Sequence, residues 1–435
     1  MHITILHTND IHGHLLPWMG WEGALKDKMV GGLATLGGAI QQVRREVGDQ
    51  CLLLGAGDLI GDSILADLTK GKALITALNF LGYDALTIGN HEPDFGIVTL
   101  RKRIAEAIFP VVACNMFLEC DSSLFTKPYI IKQVNSLRVG VVGIAYPKTG
   151  HTTAPKNVDG VRFEAAEKQV AKFIPRLREA GVDLVVVLSH LGLGPDIELA
   201  SVVDGIDVIV GGHSHNRIEL AKCVNGTFIV QAGAHGSDLG RIDLTVANGK
   251  VICNRQALIL LDNATVAPHS DSQKLLDELV VPHREAMYEI IGTALDWLIR
   301  GQTLAGEEAR KRDQESPVDS LFADLIRQQT NAELCFLPGV GYGIAIPPGP
   351  ITAAQLRQLV PHDGKVVTMR LSGARIIEVL EQAVENVLSD DPAVKVGGMI
   401  QVSGLRFSYD DQRPKGHRIG SIERTEGTGM QAMTS

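Results

Sequence analysis

The 435-residue chain is 45% hydrophobic and 21% charged, with a formal net charge of −9. That is the composition of a globular protein too long for one core, so two domains are expected. The acidic balance excludes a surface that wraps nucleic-acid polymers, which need clustered Lys and Arg, and no apolar run approaches the ~18 residues of a membrane-spanning helix.

The N-terminus, Met1-His2-Ile3-Thr4-Ile5-Leu6, runs straight into a strand pattern, without the basic, apolar and small-residue succession of a leader. A cytoplasmic location with no membrane partner is the expectation. Cys51, Cys114, Cys120, Cys223, Cys253 and Cys335 form no CxxC pair, as in a chain of reduced thiols. Short β-branched runs then recur: Cys51-Leu52-Leu53-Leu54, Ala85-Leu86-Thr87-Ile88, the stretch from Val139 to Ile144, Leu184 to Leu188, and Ile206 to Val210. Segments of helical periodicity, Leu33 to Val47 and Ala165 to Ala180, lie between them. Continuous apolar strands alternating with helices predict an α/β domain over residues 1–265. Thr227 to Ala232 and Leu239 to Val246 read as hairpin-like, with Asn248-Gly249 as a turn, so a mixed sheet or β-sandwich core is expected. Residues 266–300 read as a linker and helix, opening on the N-cap chemistry of Pro268-His269-Ser270-Asp271. Residues 301–435 read as a smaller α+β domain. It has helices near Pro317–Thr330 and Gly373–Leu388, a Gly/Pro-rich loop at 338–350 and a strand over Gln401 to Tyr409.

Chemistry collects where the strands end. Asp10-Ile11-His12 follows the first strand, Gly57-Asp58 the second and Asn90-His91 the third; Ser189-His190 and Gly211-Gly212-His213-Ser214-His215 follow two later ones. The carboxyl ends of strands are where α/β sheets build sites. Asp, His and Asn donors without Cys suit divalent ions such as Mn²⁺ or Zn²⁺. Seven candidate ligands exceed one ion's ordinary coordination, so two ions are expected, with Asp58, alone on its strand end, as the bridge. His7, His14, His151, His235 and His283 show no partner pattern and read as structural. Glu92 reads as solvent-facing or as a helix cap, and Asp62 and Ser63 as caps of the next helix.

These motifs resemble those of the calcineurin-like metallophosphoesterases. The strings His7-Thr8-Asn9-Asp10-Ile11-His12-Gly13 and Gly89-Asn90-His91-Glu92-Pro93-Asp94 are similar to the bacterial 5'-nucleotidase branch. The resemblance implies a four-layer β-sandwich flanked by helices. It implies a first ion held by Asp10, His12 and His215, a second held by Asn90, His190 and His213, and Asp58 between them. It also implies a His91–Asp94 dyad, with a metal-bridging hydroxide attacking a small phosphorylated substrate, by family default a nucleotide.

The second domain resembles the 5'-nucleotidase C-terminal domain through Gly349-Pro350-Ile351-Thr352, Leu371-Ser372-Gly373 and the run from Gln401 to Phe407. It also departs from that domain. The family's Asn-x-Gly-Gly-Ile/Val-Arg stretch falls on Pro338-Gly339-Val340-Gly341-Tyr342-Gly343, and its Pro-Phe on Pro361-His362. An anion-binding Arg and a base-stacking ring are both missing there. Arg312 and Arg406 are the remaining candidate phosphate contacts. The strings Pro338-Gly339-Val340 and Gly397-Gly398-Met399-Ile400-Gln401-Val402 are similar to the thiosulfohydrolases of sulfur oxidation. Thiosulfohydrolase or 2',3'-cyclic phosphodiesterase chemistry, or a weakly active metal-binding relative, therefore stand as alternatives.

Overall fold

The computed structural model describes the chain except Glu22, Asn248, residues 300–314, 340–342, 362–363, 390–397 and 426–435, and the side chain of Cys253. Arg312, Tyr342, His362 and the polar tail lie outside the described residues. Two compact units form. Met1–Glu289 with Thr352–Gln358 is one, and Ile290–Ile351 with Leu359–Ser435 is the other.

In the first unit two six-stranded sheets stack face to face. The first runs in the order Lys250–Leu260, Asp238–Ala247, His2–Thr8, Cys51–Gly55, Ala85–Thr87, Val111–Val112. The second runs Lys222–Val224, Thr227–Val230, Val208–Gly211, Leu184–Ser189, Leu137–Ile144, Tyr129–Val134. Both are mixed: the second is parallel at its centre with an antiparallel strand at each edge, and the first is parallel from His2–Thr8 to Val111–Val112 with two antiparallel strands on its other side. Alternation drives the stacking. Ile3, Ile5, Leu52 and Leu54 of one sheet meet Val139, Val141, Val186 and Leu188 of the other in a shared core, each burial contributing about 1.5–3 kcal/mol. The opposite faces are covered by helices, Leu33–Val47 and Lys72–Leu81 on the first sheet and Ala166–Glu179 on the second. This is the expected four-layer α/β arrangement.

Thr227–Val230 and Asp238–Ala247 are not hairpin partners. The chain crosses from one sheet to the other between them, and Asp238–Ala247 pairs instead with Lys250–Leu260 across residues 248–249. Each strand belongs to a hairpin of its own, Thr227–Val230 with Lys222–Val224 and Asp238–Ala247 with Lys250–Leu260. The helix Ser270–Val280 buries Leu276 and Val280 in the core of the first unit.

In the second unit, Ser316 caps the helix Pro317–Thr330 by accepting from the amide of Asp319, with Pro317 at a position that needs no amide hydrogen. Gly404, at φ 78°, divides the expected single strand into Gln401–Ser403 and Leu405–Tyr409. Gln401–Ser403 pairs with Cys335–Leu337, and Leu405–Tyr409 forms a hairpin with Ile419–Arg424.

Candidate metal centre and active site

Parallel strands deliver their carboxyl ends to one side, and five strand ends of the first unit empty there. Asp10 Oδ1 is a focus. His215 Nε2 lies 3.4 Å away, His12 Nε2 3.8 Å and His190 Nε2 3.9 Å. Asp58 Oδ2 sits 2.9 Å from His190 Nε2. Asn90 Oδ1 sits 2.9 Å from His213 Nδ1. Asp58 joins two groups whose donor atoms lie within 4.8 Å of one another: one with His190 and His213, one with His12 and His91. All seven sequence-expected ligands are thus gathered.

The local backbone is unusual. Of thirteen non-glycine residues with positive φ among the described residues, seven are Asp10, His12, Asp58, Asp62, His213, His215 and His235. Such conformations cost about 1–3 kcal/mol each and persist where surroundings impose them. Glycine makes the crowding possible. A Cβ on Gly89 would lie 2.1 Å from Asp58 Oδ1, and one on Gly57 would lie 2.5 Å from His190 Nδ1.

The donor set fits divalent cations. His190 Nδ1 donates to the carbonyl of Ala56 at 2.6 Å, so in the neutral ring the Nε2 that faces Asp58 is an acceptor meeting an acceptor, a position that a proton or a cation must fill. His12 repeats the pattern: Nδ1 donates to Asp62 Oδ2 at 2.6 Å, and Nε2 faces His215 Nε2 at 3.0 Å. Metal-ligating histidines characteristically give their other N–H to a carbonyl or carboxylate in this way. Electrostatics say the same. Burial raises the Asp10 carboxyl, with Asp58 adding to it. Burial also works against Asp58, yet His190 and His91 hold it far below the ordinary carboxylate range. His190, which burial alone would depress, is pushed up to about 9 by Asp58 and Asp10. Burial lowers His213 to about 3, but a site that draws protons onto His12, His91 and His190 is one that demands positive charge.

Beside this cluster stands His91. Its amide donates to Asp58 Oδ1 at 2.8 Å, and its Nδ1 lies 2.8 Å from Asp94 Oδ2 and 3.5 Å from Asp62 Oδ2. Thr153 Oγ1 donates to the other Asp94 oxygen at 2.9 Å. Burial lowers the His91 pKa, but Asp62, Asp58 and Asp94 outweigh it and raise it well above 6.5.

Three sequence expectations need correction. Glu92 neither faces solvent nor caps a helix. It is buried and accepts from the amides of Asp58, Leu59 and Gly89 at 2.9, 2.8 and 2.6 Å, tying two strand-end loops together. Asp62 is no cap: it orients His12, while Ser63 alone caps the helix Ile64–Thr69. His14 and His235 are not remote structural residues, for the His235 ring centroid lies 5.6 Å from that of His12 and 5.7 Å from that of His215. Only the shared loop placement signalled these residues, since none repeats a strand-end motif. Arg406 belongs to the second unit, exposed on Leu405–Tyr409, and Arg312 lies outside the described residues. Gly343 has φ 117°, a backbone that an arginine could not adopt without strain.

Comparison with known proteins follows this geometry. Residues 3–217 match the calcineurin-like phosphoesterase model and residues 291–432 the 5'-nucleotidase C-terminal domain model. The chain thus carries a calcineurin-like phosphoesterase domain over residues 3–217. It is therefore a phosphoester hydrolase. It is 27% identical to the trifunctional nucleotide phosphoesterase YfkN of Bacillus subtilis over 97% of its own length, spanning 30% of that longer protein. The solved 5'-nucleotidase precursor of Thermus thermophilus is 28% identical, with 98% of this chain and 86% of that one covered at a TM-score of 0.84. The sulfate thiohydrolase SoxB of Thermus thermophilus shares the fold at 23% identity and a TM-score of 0.85, covering 97% and 85% of the two chains. Among the described residues no helix is long and apolar enough to cross a membrane.

Proposed function

We propose that the chain is a dimetal phosphomonoesterase acting on nucleotides. In this reading Asp10, His12 and His215 hold one divalent ion, Asn90, His190 and His213 hold a second, and Asp58 serves both. The observation that carries the reading is Asp58's membership of both donor groups, with a His91–Asp94 pair alongside. When bound, the ions, Mn²⁺ or Zn²⁺, supply Lewis-acid polarisation and water activation near neutral pH.

The chain's own residues do the rest. Asp94, anchored by Thr153, fixes the His91 ring and keeps the hydrogen on Nδ1. His91 Nε2 then hands its proton to the departing ester oxygen, and the cationic ring stabilises charge as it develops. Asp62 couples this ring to His12, so the proton donor and the metal ligand share one carboxylate. Residues 301–435 are assigned to presenting the substrate, with Arg312 and Arg406 as phosphate contacts.

A second reading, hydrolysis of a sulfur-linked ester, is supported by the fold shared with the sulfate thiohydrolase SoxB and by Gly343, at φ 117°, where the family resemblance places an anion-binding arginine. Assay of the Mn²⁺-loaded protein against p-nitrophenyl phosphate, bis-p-nitrophenyl phosphate, nucleoside 5'-monophosphates and a peptide bearing a sulfonated cysteine separates the two. Nucleoside monophosphates are expected to be the best substrates. Turnover of the sulfonated peptide alone would reject the nucleotidase reading.

A further inference from the structure

We infer that His235 is an additional ligand of the ion held by Asp10, His12 and His215, and that His14 is the residue that positions it. The inference rests on the dimetal reading above. His12, His215 and His235, all buried, each place a ring nitrogen within 4.8 Å of the other two. The backbone at His235 is built to aim that ring. Its φ is 56°, a left-handed conformation uncommon for a side-chain-bearing residue. Its amide donates to the carbonyl of Asp10 at 2.7 Å, and its carbonyl accepts from Trp18 Nε1 at 2.9 Å. The first of these bonds ties His235 directly to a proposed ligand residue.

His14 supports the ring from behind. The two centroids lie 4.6 Å apart. His14 Nδ1 is pinned between the carbonyls of Ile11 and His12 at 2.9 and 3.0 Å, while its Nε2 is buried with no hydrogen-bond partner among the described residues. A third imidazole also changes the chemistry of this position. Imidazole-rich donor sets favour Zn²⁺, Fe²⁺ or Co²⁺ over the oxygen-seeking Mg²⁺. The position held by Asp10 and its histidines is accordingly the tighter and more zinc-selective of the two.

The test uses the full chain with ¹⁵N-labelled histidine, recorded before and after loading with Zn²⁺. Zinc-shifted ring nitrogens are expected for His235 together with His12 and His215. An unshifted His235 beside shifted His12 and His215 overturns the inference and leaves the dimetal reading standing. A chain that shifts none of its histidines overturns the dimetal reading itself. His235→Asn, chosen because asparagine tolerates left-handed backbone, is expected to weaken one of two bound ions by about 10–100-fold. Metal content after dialysis against graded chelator measures this, with the metal-free melting temperature as the folding control. Two ions held with wild-type affinity overturn the inference. Should the variant fail to fold, the wild-type spectra decide alone.

Discussion

The two units hold their working residues in opposite ways. In the first, carboxylates and imidazoles are buried, tied by short hydrogen bonds and fixed by left-handed backbone at Asp10, His12, Asp58, His213 and His215. In the second, Arg406, the proposed phosphate contact, stands exposed on a hairpin strand. A buried cluster of this kind cannot lose a member without stranding a charge, at a cost of about 3–5 kcal/mol. An exposed substrate contact can be exchanged at little cost to the fold. Reaction chemistry is therefore constrained by the interior, and specificity is free to drift on the surface.

The sharpest way to break this contrast is His91→Ala. If the first unit carries the chemistry alone, kcat falls by about 10²–10⁴-fold for nucleotides, and by less for p-nitrophenyl phosphate, whose leaving group needs no proton, while metal content stays at the wild-type level. Steady-state kinetics with elemental analysis checks both. An unchanged kcat for nucleotides would remove His91 from the reaction.

Glu92→Gln probes the interior itself. One carboxylate accepts three amides of two site loops. Glutamine offers a single acceptor oxygen and turns an N–H toward another N–H. A stability loss of about 2–3 kcal/mol is expected, read as a lowered melting temperature, together with weaker metal retention, because two of the amides belong to Asp58 and Gly89. Wild-type stability would mean that the buried cluster is not held as tightly as its geometry implies.

Asp196 gives a pH-dependent version. It is buried on the helix Leu193–Val202, accepts from Ser189 Oγ, and its Oδ2 has no hydrogen-bond partner among the described residues. Burial pushes its carboxyl up to about 7, against about 3.9 in an unfolded chain. Between those values the folded state keeps a proton that the unfolded state has lost. The stabilising contribution is thus fully present below about pH 3.9 and is lost as pH rises through 7. Asp196→Asn removes this dependence. The variant is expected to gain about 2 kcal/mol on the wild type between pH 5 and pH 8, measured by urea unfolding. A difference that does not change with pH would show Asp196 to be ionised in the folded chain.

Much of this was legible in the sequence. The apolar runs located the strands, and residues repeated at strand ends located the buried His/Asp cluster, because parallel strands must send their carboxyl ends to one side. Glu92, Asp62 and His235 were not legible. Their partners are 34, 50 and 225 positions away along the chain, as Glu92 to Asp58, Asp62 to His12 and His235 to Asp10, and periodicity carries no information about pairings at that range. The left-handed backbone at the ligands was hidden for a related reason. Tertiary contacts impose it on aspartate and histidine, where local preference alone would have asked for glycine.

The smallest expected effect tests the surface half of the contrast. Arg406→Ala removes an exposed charge whose attraction to any partner is weakened by solvent. Exposed ion pairs contribute about 0.2–1 kcal/mol, so the KM for a nucleoside monophosphate should rise by no more than about 5-fold, with kcat unchanged and melting temperature unaltered. Competition between a nucleotide and p-nitrophenyl phosphate measures the change against an internal reference. If kcat falls as well, Arg406 acts on the reacting phosphoryl group, and the division between an interior that performs the reaction and a surface that selects its substrate no longer holds.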